Sequence, residues 1–201
     1  SGTAALHVAL EVAGVGAGDE VLMPAVTFIA PANAVRYCGA HPVFFDAEPE
    51  FWQMDATAVA GYVRRRCEAR AGKLWSKLSG RRVAAILPVH VLGHPVDLGP
   101  LVELSREFSV PLIEDATESL GAFQGGRPVG TAGLAACFSF NGNKIITTGG
   151  GGMLVTDDEA VARRARYLST QAKDDPYEYV HESVGYNYRL TNLQAALGCA
   201  Q

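Results

Sequence analysis

The sequence predicts an α/β fold, a largely parallel sheet covered on both faces by helices, and two observations carry that prediction. Short apolar runs rich in β-branched and aromatic residues alternate with longer stretches in which apolar residues recur at three and four positions. The 201 residues are 48% hydrophobic, enough for one sizeable core, and no Pro- or Ser-rich linker or internal repeat divides them.

Each element follows from its local pattern. Residues 4–13, 30–37, 56–66, 99–108, 158–168 and 191–200 carry the helical recurrence, and residues 20–23, 42–45, 83–88 and 110–114 read as strands between them. Two more strands, 135–140 and 152–156, flank the polar, glycine-rich stretch NGNKIITTGGG; no helix fits between them, so a tight loop is expected. Basic residues crowd the segment from Arg64 to Arg82. That density is compatible with an anionic partner surface, but Val63, Cys67, Leu74, Trp75 and Leu78 are interspersed, and a solvated helical excursion is the expectation.

Composition excludes several classes. With 17 basic against 21 acidic residues there is no overall cationic excess to drive nucleic-acid binding, so no nucleic-acid partner is expected. No apolar run reaches the roughly 18 residues of a membrane span and no signal-peptide pattern opens the chain, so neither a membrane partner nor export is expected and a cytoplasmic location is. Cys38, Cys67, Cys137 and Cys199 are far apart, and His90 and His94 have no ligand pattern around them, so no metal is expected. Both ends of the chain fall inside helical patterns, as in a piece of a longer protein.

Three sites could carry chemistry. Ser1-Gly2-Thr3 precedes an Ala-rich helix, whose unpaired N–H groups suit a phosphate as well as an ordinary Ser cap. The strand VPLI ends in Glu114-Asp115, which either places a carboxylate at the sheet's carboxyl end, where such folds bind ligands, or simply opens the next turn. Lys144 follows the apolar strand Ala135 to Phe138 by way of Ser139-Phe140-Asn141-Gly142-Asn143 and precedes Ile145-Ile146. Among apolar neighbours its ammonium is disfavoured, and the neutral amine is a nucleophile toward a carbonyl. The alternative is a lysine whose stem packs while its head reaches water. The run Gly149–Gly152 fits neither a dinucleotide fingerprint nor a P-loop and is read as allowing close backbone approach. A phosphate cradle, a carboxylate for a pyridinium nitrogen and an imine-forming amine are together what pyridoxal 5′-phosphate requires.

At six segments in order, SGTAALHVAL, GDEVLMPAVTFIAPANAV, PVHVLGHPVDL, IEDATESLGA, SFNGNKIITTGGGGML and GYNYRLTNLQAALG, the sequence resembles the DegT/DnrJ/EryC1/StrS nucleotide-sugar aminotransferases. The lysine segment and the basic insertion look most like the C4 aminotransferases of UDP-4-keto-6-deoxy-N-acetylglucosamine. The resemblance implies the three-layer α/β/α large domain of fold-type-I pyridoxal-phosphate enzymes over residues 1–201, the parent's N-terminal start and smaller C-terminal domain lying outside it. It makes Lys144 the imine-forming lysine and Asp115 the partner of the ring nitrogen. Phe28 would stack on the ring, Gly2, Thr3 and Ser139 would hold the phosphate, and Asn187 would reach the cofactor of a partner subunit in a homodimer. L-Glutamate and a nucleotide-linked keto sugar are the implied substrates. Glu118 stands where many members have Gln against the cofactor's phenolic oxygen, so it is expected either to bind as the acid or to point elsewhere. Members that act as dehydratases replace the lysine with histidine, and a non-catalytic relative would be expected to lose Lys144 or Asp115; this chain keeps both.

Overall fold

The computed structural model describes residues 1–175 and 177–201. In chain order the elements are α1 (Gly2–Val12), β1 (Glu20–Pro24), α2 (Ile29–Tyr37), β2 (His41–Phe45), α3 (Ala56–Arg66), β3 (Cys67–Arg70), β4 (Lys73–Ser76) and β5 (Arg82–Ile86). There follow α4 (Gly99–Phe108), β6 (Ile113–Asp115), β7 (Phe123–Gln124), β8 (Arg127–Pro128), β9 (Ala135–Ser139), β10 (Gly152–Val155), α5 (Glu159–Ser169) and α6 (Asn192–Cys199). The predicted helices are all present, within a residue or two of their expected ends. α1 starts earlier than its apolar pattern because the Ser1 hydroxyl accepts the Ala4 N–H at 3.2 Å and caps it. Thr191 and Gln194 close a capping box on α6.

Two hydrogen-bonded sheets, ordered β2-β1-β5-β4-β3 and β10-β9-β6, are joined by isolated parallel bridges between Ile86 and Leu112 and between Val89 and Asp115. The continuous spine therefore runs β2-β1-β5-β6-β9-β10. Its first five strands are parallel and β10 is antiparallel. Alternation along the strands divides the core between two faces. Val21, Met23, Ala85, Ile113 and Cys137 pack with Leu6, Leu10, Ala34 and Val35 of α1 and α2. Leu22, Val83, Ile86 and Leu112 pack with Val59, Val63, Leu101 and Leu104 of α3 and α4. Helices on both faces of the sheet make the three layers, and each fully buried Leu in them contributes about 1.5–3 kcal/mol.

The segment from Arg64 to Arg82 is not a helical excursion. α3 stops at Arg66 and the chain turns into the antiparallel hairpin β3–β4, which pairs with the start of β5. Ala71 and Gly72 at its tip both have positive φ, as a two-residue primed turn demands, and Cys67, Leu74 and Ser76 are buried by strand alternation rather than helical spacing. The strand expected over 110–114 is shorter and shifted, because Ser109 ends α4 in the left-handed conformation and the next residues only bridge to β5.

Candidate active site

The carboxyl ends of β6 and β9 deliver Asp115 and Ser139 to one edge of the sheet, and the loop after β9 brings Lys144 over it. That loop is closed by its own backbone: the Lys144 N–H donates to Asn141, Thr148 to Phe140 and Phe140 to Gly151. The glycine run makes the closure feasible. Gly149 and Gly151 have positive φ, and a Cβ on Gly152 would lie 2.4 Å from the Ser1 carbonyl oxygen, so the loop lies directly against the start of α1.

The Lys144 ammonium donates to Oε1 of Glu118 at 3.0 Å and stands 5.5 Å from the centroid of the Phe28 ring. The lysine is well shielded, its side chain 13% exposed. Its immediate partner is nevertheless a carboxylate, and Ile145 is exposed, so the desolvation argument built on apolar neighbours is incomplete: a shielded ammonium has the counter-charge it needs. Glu118 points to the lysine and also accepts the Leu92 N–H at 2.9 Å. Leu92 and Gly93 both take positive φ in the short 3-10 turn after β5, and a Cβ on Gly93 would meet the Glu118 carbonyl oxygen at 2.7 Å. Gln53 completes this brace, accepting the Val91 N–H and donating back to its carbonyl.

Asp115 is buried and accepts the Thr117 N–H at 3.1 Å. Burial pushes its carboxyl above the usual aspartate value, opposed by the Thr117 hydrogen bonds and by the nearby positive charge of Lys144. Gly2 sits in a socket: an added Cβ would lie 2.9 Å from both the Ser139 Cβ and the Thr117 Cγ2 and 3.2 Å from the Ser139 hydroxyl. The first turn of α1, with Thr3 half-buried, thus meets the hydroxyl-bearing strand end. Phe28 precedes α2 and is 61% exposed, its ring beside the amine.

Of the residues singled out in the sequence, Lys144, Glu118 and Phe28 are in direct contact, Gly2 and Ser139 form the adjoining cradle, and Asp115 is linked to it through Thr117. Asn187 is elsewhere: exposed, paired with Thr170 across an antiparallel bridge, next to Tyr186 and Tyr188 where they pack on His7.

Sequence reasoning missed Thr117, whose signal was a hydroxyl two residues after the aspartate. It also missed the buried pair His90–Glu114. Glu114 faces away from the site and collects four donors, His90 Nε2 and the N–H groups of Gly130, Ala132 and Gly133. Because His90 Nδ1 accepts the Val96 N–H, the ring proton resides on Nε2. Burial pushes the Glu114 carboxyl up, but these four hydrogen bonds outweigh it and hold it below the usual carboxylate range.

Across residues 1–201 the sequence matches the DegT/DnrJ/EryC1/StrS aminotransferase family. The chain belongs to that family. Similar members of the DegT/DnrJ/EryC1/StrS family include the GDP-perosamine synthase of Caulobacter vibrioides, 43% identical over 201 residues, which are 100% of this chain and 50% of that protein. EpsN of Bacillus subtilis, whose name assigns it provisionally as a pyridoxal phosphate-dependent aminotransferase, is 44% identical over 100% of this chain and 49% of its own length. The crystal structure of the aminotransferase from Psychrobacter cryohalolentis superposes with a TM-score of 0.85 at 33% identity, covering 100% of this chain and 50% of that one. The chain thus spans about half the length of the relatives it matches.

Proposed function

We propose that residues 1–201 are the cofactor-binding large domain of a pyridoxal-phosphate aminotransferase, which moves an amino group from L-glutamate to the C4 ketone of a nucleotide-linked 4-keto-6-deoxy sugar. The observation that carries this reading is the convergence of Lys144 and the buried carboxylate of Asp115 at the strand ends, beside the exposed ring of Phe28 and the cradle of Gly2 and Ser139.

The residues present fit the cofactor. The cradle has no room for a side chain at position 2, so backbone N–H groups at the α1 start can approach a phosphate closely, with the hydroxyls of Thr3 and Ser139 as further donors. Asp115, as the carboxylate facing a cationic ring nitrogen, would keep a proton on that nitrogen. When bound, the protonated ring supplies an electron sink for the pair left behind when a C–H proton departs. Lys144 Nζ, as the neutral amine, would take that proton to become the ammonium that Glu118 balances and would then return it, Glu118 would orient the amine from its fixed seat on Leu92, and Phe28 would cover one ring face and exclude water there. Glu118 in this arrangement is the counter-charge of the lysine. Asn187, exposed and away from the cluster, suits contact with a partner subunit's cofactor in a homodimer.

UDP-4-keto-6-deoxy-N-acetylglucosamine is the substrate favoured by the likeness of the lysine segment, and the relative named for GDP-perosamine brings a GDP-linked ketone into the test. The full-length chain is incubated with pyridoxal phosphate, glutamate and UDP- or GDP-linked 4-keto-6-deoxy sugars. A 4-amino sugar detected by mass spectrometry is the expected product. Bound cofactor without amination of either ketone overturns the substrate class alone; absence of a cofactor absorption band overturns the whole reading.

A further inference from the structure

Charge is divided unevenly along this chain. Residues 64–82 hold eight basic residues and one acidic one, whereas the remainder holds nine basic and twenty acidic. Some of these cations are neutralised: Arg64 pairs with Glu107, Arg70 with Glu68 and Arg82 with Asp19. Among the described residues, Arg65, Arg66, Lys77 and Arg81 have no carboxylate within 4.0 Å.

The hairpin brings the chain at Arg66, Lys77 and Arg81 together, whereas the Arg65 guanidinium lies back along α3 against Gly61. The Lys77 N–H donates to the Arg66 carbonyl at 2.8 Å, its ammonium reaches the Arg65 carbonyl at 3.5 Å, and the Arg81 carbonyl accepts the Ser76 N–H at 2.8 Å. The turn between them carries Leu78, which is 67% exposed. Beneath it the base is firm: Leu74 and Cys67 are buried, and the Tyr62 hydroxyl and Ser76 Oγ are 3.0 Å apart. This turn feeds the amino end of β5, whereas Lys144 and Asp115 stand at the carboxyl ends of the sheet, so the cationic turn is on the opposite edge from the proposed active site.

We propose that this turn is a docking surface for an anionic lipid bilayer, with Leu78 entering the headgroup layer between Lys77 and Arg81. Cations without counter-charges fit a negative surface, and the exposed aliphatic side chain of Leu78, next to Lys77 in the chain, gains more from a bilayer than from a phosphate backbone. Average composition conceals the surface because the rest of the chain is acidic.

The test is co-sedimentation of the full-length protein with vesicles of phosphatidylcholine alone or with added phosphatidylglycerol. Binding is expected only with the anionic lipid and is expected to vanish at high salt. Lys77→Gln with Arg81→Gln should weaken it roughly 25-fold, taking about fivefold for each cation, and Leu78→Ser should weaken it several-fold at constant charge. Arg65→Gln with Arg66→Gln provides a second pair if the first folds poorly. All these variants should keep the unaltered chain's cofactor absorption, which separates failure here from failure of the aminotransferase reading. Equal binding to neutral vesicles, no binding, insensitivity to these substitutions, or retention by RNA but not by vesicles would each overturn the proposal.

Discussion

A Cβ on Gly2 would stand 2.9 Å from the Cβ of Ser139, so the first turn of α1 and the carboxyl end of β9 touch with no spare volume between them. Gly2→Ala must displace Ser139 or Thr117 and open the cradle. Cofactor affinity is expected to drop at least tenfold, about 1.4 kcal/mol, measured by fluorescence titration, while the far-ultraviolet circular dichroism is unchanged.

Lys144→Ala removes the only amine in contact with Phe28 and Glu118 among the described residues. Borohydride treatment of the unaltered protein with pyridoxal phosphate should add the cofactor's mass less one oxygen to the peptide containing Lys144, since imine formation expels water and reduction adds two hydrogens. In the variant that adduct and amination should both disappear, with folding intact by thermal melt.

Asp115→Asn should act in opposite directions on turnover and stability. Turnover is expected to fall on the order of 100-fold, with little loss of cofactor binding, because only the ionised group can keep the ring nitrogen protonated. The cofactor-free protein should become more stable at neutral pH. Burial raises the folded-state pKa of Asp115, so its contribution favours folding at pH below the unfolded value and is lost as pH rises through the folded one. The Tm gain of the variant should therefore be absent in acid and grow with pH.

Glu114→Ala leaves one buried donor, His90 Nε2, and three part-buried N–H groups without their acceptor and should cost about 3 kcal/mol, read from a denaturant midpoint. The pH dependence has the reverse sign to that of Asp115. A lowered folded-state pKa means that the Glu114 contribution is present above the unfolded value and disappears as pH falls through the folded one. Unaltered protein should lose stability on that acid limb, and the variant should show a shallower one.

Most of the layered framework was legible because strands buried on both faces and helices with one apolar stripe leave distinct patterns, as EVLMP and GPLVELSREF do. The hairpin after Arg66 was not, since Cys67, Leu74 and Trp75 satisfy either period until the positive φ of Ala71 and Gly72 decides between them. In the site, Lys144, Asp115 and Gly2 were readable from residue type and place. The pairing of Lys144 with Glu118 was not, because it depends on how the 3-10 turn at Leu92 seats the carboxylate 26 positions away in the chain. Strand alternation sends Glu114 and Asp115 to opposite sides of the sheet, but it could not reveal which of them braces a loop and which turns toward the amine.

The pairing of Gly152 with Ser139 across β10 and β9 has a consequence for assembly. A slip of one residue along this ladder would exchange the Ser139 hydroxyl for the aromatic ring of Phe138 or Phe140 and abolish the proposed phosphate cradle. If the cradle holds a phosphate as proposed, its capture doubles as an inspection of the finished chain, rewarding molecules whose distant segments have met in the correct alignment and leaving misaligned ones without that added hold.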